Sequence, residues 1–124
     1  MAKAKDKTTS VLVKHIIEGI KKKKGKEIVS INLSGLQNAV CRYFIIASGE
    51  SKTQVNAIAE SVEENVWKHT AEYPHHTEGS VNAQWVLLDY ILVVVHIFQR
   101  EYRDFYQLES LWADGVIRRL PDEN

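Results

Sequence analysis

Residues 85–98 read Trp-Val-Leu-Leu-Asp-Tyr-Ile-Leu-Val-Val-Val-His-Ile-Phe. Asp89 and His96 are the polar exceptions in an otherwise apolar run. Valine, isoleucine, phenylalanine and tryptophan favour the pleated, half-buried surface of a sheet. The stretch therefore predicts two strands, Ala83 to Asp89 and Val93 to Phe98, paired as an antiparallel hairpin. Side chains alternate along a strand. Trp85, Leu87 and Asp89 then share one face, and Val86, Leu88 and Tyr90 the other. The turn at Tyr90-Ile91-Leu92 holds no Gly, Asn or Pro, which is poor chemistry for a tight hairpin.

Working towards the N-terminus, His75 to Gly79 suits a short edge strand. Before it, Ser51-Lys52-Thr53-Gln54 has capping-box spacing, with Ser51 as N-cap and Gln54 at the third helical position. Val55, Ile58, Ala59, Val62 and Val66 recur at helical spacing and predict a buried helical face that ends at Tyr73-Pro74. Tyr43-Phe44-Ile45-Ile46-Ala47 is a continuous apolar run, the pattern of a strand buried on both faces. Glu27 to Leu33 predicts another strand, joined to it through Leu36 to Cys41. Leu12, Ile16 and Ile20, with Val13 and Ile17, form the apolar side of a first helix, for which Thr8, Thr9 and Ser10 offer an N-cap and Gly25 a stop.

Towards the C-terminus, Arg100 to Ala113 predicts a helix with Tyr102, Phe105, Tyr106, Leu108 and Trp112 largely on one side. The order is α-β-β-α-β-β-β-α, a single-domain mixed-sheet α/β sandwich. The expected domain covers residues 8–114, with flexible tails at 1–7 and 115–124.

The chain has 124 residues, enough to bury a core without staples. Its one cysteine, Cys41, excludes an internal disulfide and suits a reducing compartment. Residues 85–98 are shorter than the roughly 20 apolar residues of a membrane span. The short Val11–Val13 run between lysines makes no secretory signal. The expectation is a soluble, cytoplasmic protein with no membrane partner. The formal net charge of zero hides an asymmetry. Residues 1–26 carry nine lysines against Asp6 and Glu18, net +7, and the remainder is net −7. Lysines 21–24 have a structural role at the negative end of a helix dipole. The N-terminal lysines together also allow a minor contact with a polyanion such as ribosomal RNA.

Chemistry-bearing constellations are sparse. His75, His76 and Glu78 lie close together, but no three or four ligands recur at zinc spacing. His96 reads as a hydrogen-bonded strand residue and Cys41 as a small buried one. Ser48-Gly49-Glu50-Ser51, between a strand and a capped helix, could hold a phosphate against free N–H groups. A nucleotidyltransferase would add paired carboxylates on a nearby strand to hold magnesium. This chain offers Asp89 alone. The aromatic residues stand apart: Tyr43, Trp85, Tyr90, Tyr102, Phe105, Tyr106 and Trp112 exceed what so small a sheet must bury. One sheet face is therefore expected to be partly open, with aromatic anchors of the kind protein interfaces use.

The ordered motifs resemble the ribosomal silencing factor (RsfS, or Iojap) family. They are Tyr43-Phe44-Ile45-Ile46-Ala47-Ser48-Gly49 with Ser51, Gln54, Val55, Ala57, Ile58 and Ala59; Glu78-Gly79; Trp85 to Tyr90; Val93 to Phe98; and Phe105-Tyr106, Leu108-Glu109 and Leu111-Trp112. The resemblance spans about residues 9–114. It implies a fold like a nucleotidyltransferase that has lost its catalytic carboxylates, and a non-enzymatic role without cofactor or metal. It further implies binding to ribosomal protein number fourteen of the large subunit. That docking obstructs joining of the small subunit and represses translation when nutrients are scarce. It allows a homodimer as well.

Two positions depart from the family pattern: Arg42 stands where an acidic residue is usual, and Ile91-Leu92 replaces a Gly-Asp-like turn. The expected partner site centres on Trp85, Leu87, Asp89 and Tyr90, with Tyr43, Ser51, Tyr106 and Glu109 around them. The competing readings are a nucleotide-handling enzyme on the same fold and an RNA-binding module led by the lysine arm.

Overall fold

In the computed structural model, which describes residues 2–37 and 39–122, a mixed sheet carries two helices on one face and a C-terminal segment on the other. The elements are α1 (Ala2–Lys22), β1 (Lys26–Asn32), β2 (Tyr43–Gly49), α2 (Lys52–Thr70), β3 (His76–Glu78), β4 (Trp85–Asp89), β5 (Val93–Gln99), α3 (Arg100–Tyr106), α4 (Leu108–Leu111) and β6 (Val116–Arg119). The strands run β3-β4-β5-β2-β1-β6 across the sheet. β2 and β5 are parallel and the other pairings are antiparallel.

The continuous apolar runs occupy the middle of the sheet because both faces there are covered. On the first face, Ile45, Ala47, Val86, Leu88, Val95 and Ile97 meet Leu12, Ile16 and Ile20 of α1 and Val55, Ile58, Val62 and Val66 of α2. The two helices are also joined by Ser61 Oγ, which donates to the Gly19 carbonyl at 2.7 Å. On the second face, Val29, Ile31, Phe44, Ile46, Val94 and Phe98 are covered by Leu108, Tyr102 and Trp112. Ser51 caps α2 as expected, its hydroxyl accepting from the Gln54 N–H at 3.1 Å. The Gln54 side chain reaches back to the Glu50 N–H at 2.7 Å.

Four expectations are corrected. The first helix is not capped at residues 8–10 but begins at Ala2. Alanine and lysine in that stretch are strong helix formers, and Thr9 is buried within the helix. Most of the expected 1–7 tail is thus helical; Met1 lies outside the described residues. The expected tail after residue 114 instead supplies β6, which pairs with β1 from Val29↔Arg119 to Asn32↔Val116. Residues 123 and 124 lie outside the described residues, as does Asn38 in the expected 36–41 connection. The single helix expected over 100–113 is broken at Gln107, whose φ of 48° ends α3 and starts α4. Finally, Lys24 rather than Gly25 takes the left-handed position at the end of α1, with φ 60°. Gly25 then donates to the Ile20 carbonyl at 3.0 Å.

The unusual turn closes the β4–β5 hairpin without the expected residues. Ile91 adopts φ 74°, and the Leu92 N–H bonds back to the Tyr90 carbonyl at 3.0 Å, a tight three-residue turn. Asp89 makes it tolerable: its Oδ1 accepts from the Ile91 N–H at 2.7 Å. A β-branched residue at positive φ still carries a cost of about 1–2 kcal/mol. Ile91 is more than half exposed, so little packing offsets that cost. Ile91→Gly is expected to raise unfolding free energy by about 1 kcal/mol. Urea denaturation checks this, and a lower stability in the variant contradicts the strain.

Candidate partner-binding face

The second sheet face is covered over β1, β2 and β5 but left partly open over β4. Trp85 and Leu87 are half-buried there. Trp85 stacks on Phe98 with centroids 5.0 Å apart and packs against Tyr106 at 4.6 Å. Phe105, 78% exposed, meets Tyr106 edge-on at 5.2 Å. Strand pairing adds polar groups to this surface. Glu78 pairs with Leu87 and His76 with Asp89, so their side chains stand on the same face. His76 Nε2 lies 3.1 Å from Glu78 Oε1, both side chains well exposed. The result is an aromatic and aliphatic strip, Phe105-Tyr106-Trp85-Leu87, edged by the carboxylates of Glu78 and Asp89.

His96 fixes the indole. Trp85 Nε1 donates to His96 Nδ1 at 3.0 Å. An indole nitrogen can only donate, so Nδ1 is the acceptor and the neutral ring carries its proton on Nε2. That Nε2 is buried without a hydrogen-bond partner. Burial, only partly opposed by the charge of Asp89, pushes the imidazole down to about 4. Protonation would also remove the acceptor that holds Trp85. The unfolded chain takes up a proton near pH 6.5 and the folded one only near 4. Stability conferred by neutral His96 is therefore complete above pH 6.5 and declines as pH falls towards 4, by about 3 kcal/mol in all. His96→Phe is expected to flatten the dependence of unfolding free energy on pH between 4 and 6.5. An unchanged slope contradicts this.

The structure brings together only part of the expected site. Trp85, Leu87, Asp89 and Tyr106 share the open face. Tyr90 does not: it is 4% exposed, on the helix-covered side, and burial reinforced by Glu63 and Glu72 raises its phenol. The alternation along β4 carries it inward with Val86 and Leu88. Tyr43 also faces the helix side, in a shallow groove with Val13, Ile17, Val116 and Leu120. The Ser51 hydroxyl is committed to capping α2. Glu109 lies 3.4 Å from Arg103 and 3.9 Å from Arg119, binding the C-terminal segment to the body.

Sequence reasoning passed over Arg103. It is 4% exposed and donates from Nη1 to the Glu27 carbonyl and, at 2.9 Å, to Ser48 Oγ, while Nη2 faces Glu109. Glu27 sits at φ 52° where the β1–β2 register shifts between Lys26 and Val29. The bulge takes the Glu27 carbonyl out of the ladder and leaves it for the guanidinium. Arg103 thus fastens α3, which carries Phe105 and Tyr106, onto β1 and β2. An arginine amid aromatic residues was the available signal. Phe105 and Glu78, too, were visible in the sequence, but only strand pairing and the break at Gln107 put them on the open face.

The groups considered for other chemistry have structural partners. Ser48 is buried under Arg103. Cys41 donates to the Tyr43 carbonyl at 3.2 Å, and burial raises its thiol to about 11. Among the described residues, no cluster of three or more His, Cys, Asp or Glu could hold a metal ion, and no helix is long and apolar enough to cross a membrane.

The family described as ribosomal silencing factor during starvation matches residues 5–124. The chain belongs to the RsfS family. Curated relatives named ribosomal silencing factor RsfS agree. One from Halalkalibacterium halodurans is 34% identical over 88% of this chain and 92% of its own length. Another from Bacillus subtilis is 35% identical over 79% and 81%. A protein named Iojap, chloroplastic, from Arabidopsis thaliana is 34% identical over 67% of this chain but 34% of its own length. A crystal structure of a protein from Chromobacterium violaceum superposes with a TM-score of 0.78 at 34% identity, covering 84% of this chain and 85% of that one. As an RsfS-family protein, the chain has a regulatory role as a ribosomal silencing factor, and its mixed α/β fold is the one expected.

Proposed function

We propose that this RsfS-family protein represses translation by docking on ribosomal protein number fourteen of the large subunit, which obstructs joining of the small subunit when nutrients are scarce. The observation that carries the proposal is the open strip of β4 and α3, where Trp85 is held by His96 and flanked by Tyr106, Phe105 and Leu87. A rigid, half-buried tryptophan beside exposed aromatics has the composition of an interface anchor. Glu78 and Asp89 at its edge suit a basic ribosomal partner and would speed encounter. We further propose that the N-terminal lysines make a minor, salt-sensitive contact with ribosomal RNA. The protein would act in the cytoplasm, where ribosomal subunits join.

Trp85→Ala is expected to weaken association with purified large subunits by roughly 2 kcal/mol, about thirtyfold. Because Trp85 also packs on Phe98, Phe105→Ala serves as a second variant: Phe105 is exposed and its loss leaves the core intact. Cosedimentation reads both. If both folded variants bind as well as the wild type and still block subunit joining, the site lies elsewhere.

A further inference from the structure

A second exposed aromatic group lies on the helix-covered side, at the end of the sheet where β5 begins. Trp67, near the end of α2, and Tyr73, just past it, stack with centroids 4.4 Å apart and planes within 15°. They are 44% and 63% exposed. A large stacked pair left in water is poorly explained by packing.

Three features around the pair favour positive charge. Glu60 and Glu63 precede Trp67 by seven and four positions on α2 and share its stripe. Glu72 adjoins Tyr73, and both Glu63 and Glu72 act on the nearby Tyr90 phenol. Among the described residues no cation pairs with Glu63; burial and the like charge of Glu60 instead raise its carboxyl. The C-terminal end of α2, closed by Ala71 at φ 60° donating to the Trp67 carbonyl at 2.9 Å, adds the negative pole of a helix dipole. The nearest lysine on α2, Lys68, lines the separate cleft with Lys22 and Asn65.

Indole and phenol faces attract guanidinium and ammonium groups, and carboxylates beside them strengthen the attraction. We propose that Trp67, Tyr73, Glu63 and Glu72 form a second docking site, for an arginine- or lysine-rich segment of another protein. The site lies away from the Trp85 strip, so its occupant and the partner at that strip need not be the same molecule.

The test is an NMR titration of the isotope-labelled full chain with a short alternating arginine–glycine peptide. Saturable shifts centred on the Trp67 indole and Tyr73 are expected, weakening as salt is raised. The paired change Glu63→Gln with Glu72→Gln should raise Kd about tenfold, and Trp67→Ala should abolish saturation. These groups are at the surface, and the spectra themselves report whether each variant is folded. No saturable shift at these residues, or an unchanged Kd in the glutamine pair, overturns the proposal. So does tighter binding there by polyuridylate RNA or by phosphatidylglycerol vesicles.

Discussion

Gly79→Ala is expected to lower unfolding free energy by about 3–5 kcal/mol, combining a left-handed backbone penalty with a steric one. Gly79 has φ 88°, and a Cβ there would lie 2.0 Å from the Trp85 carbonyl oxygen. That oxygen belongs to backbone and cannot swing aside. Gly79 also accepts from the Ala83 N–H at 2.8 Å, closing the loop that leads into β4. Relief of the clash must therefore displace the start of β4, and with it Trp85. The variant should lose stability in urea and, if still folded, bind large subunits more weakly. Stability within 1 kcal/mol of wild type would contradict the close approach.

Arg103→Met is the second large effect, a loss of about 3 kcal/mol. The guanidinium is buried, and its removal leaves the Glu27 carbonyl and the Ser48 hydroxyl, itself 2% exposed, without their donor. The buried Ser48 hydroxyl left as an orphan costs on the order of 1–3 kcal/mol, and the part-buried Glu27 carbonyl adds less. Glu109 loses a partner too, but it is partly exposed and its share is small. Arg103→Lys should recover little, because an ammonium lacks the planar fork that serves Glu27, Ser48 and Glu109 together. Since α3 carries Phe105 and Tyr106, large-subunit binding should weaken although Arg103 itself faces inward. Thermal and urea unfolding of both variants check this. A methionine variant as stable as wild type would show that the guanidinium's burial cancels its hydrogen bonds.

The fold was largely legible because its signals are local. Alternation in β4, the unbroken apolar runs of β2 and β5, and the Ser51–Gln54 box each encode one element. β6 was not legible: Val116-Ile117-Arg118-Arg119 is short, and only pairing with β1 makes it a strand. The turn at Ile91 was flagged by its residues, yet its remedy lay in the Asp89 side chain, a tertiary detail of the same hairpin. The site was legible only in part. Period-2 alternation correctly grouped Trp85, Leu87 and Asp89, and the same rule argues against Tyr90. Ser51 and Glu109 look available in sequence because polar residues do not announce which are already spent on caps and ion pairs. Arg103 is harder to read because its burial depends on the bulge at Glu27, near the start of β1 in the chain's other half.

The proposed contact between the Trp85 strip and ribosomal protein number fourteen is open to direct test. The most direct measurement places a photoreactive amino acid at Leu87, half-buried at the middle of the strip, and irradiates the complex with purified large subunits. One dominant adduct is expected, with ribosomal protein number fourteen, and it is lost when Trp85→Ala is added. A dominant adduct with another protein or with RNA, or no adduct from a variant that still cosediments and blocks subunit joining, would contradict it.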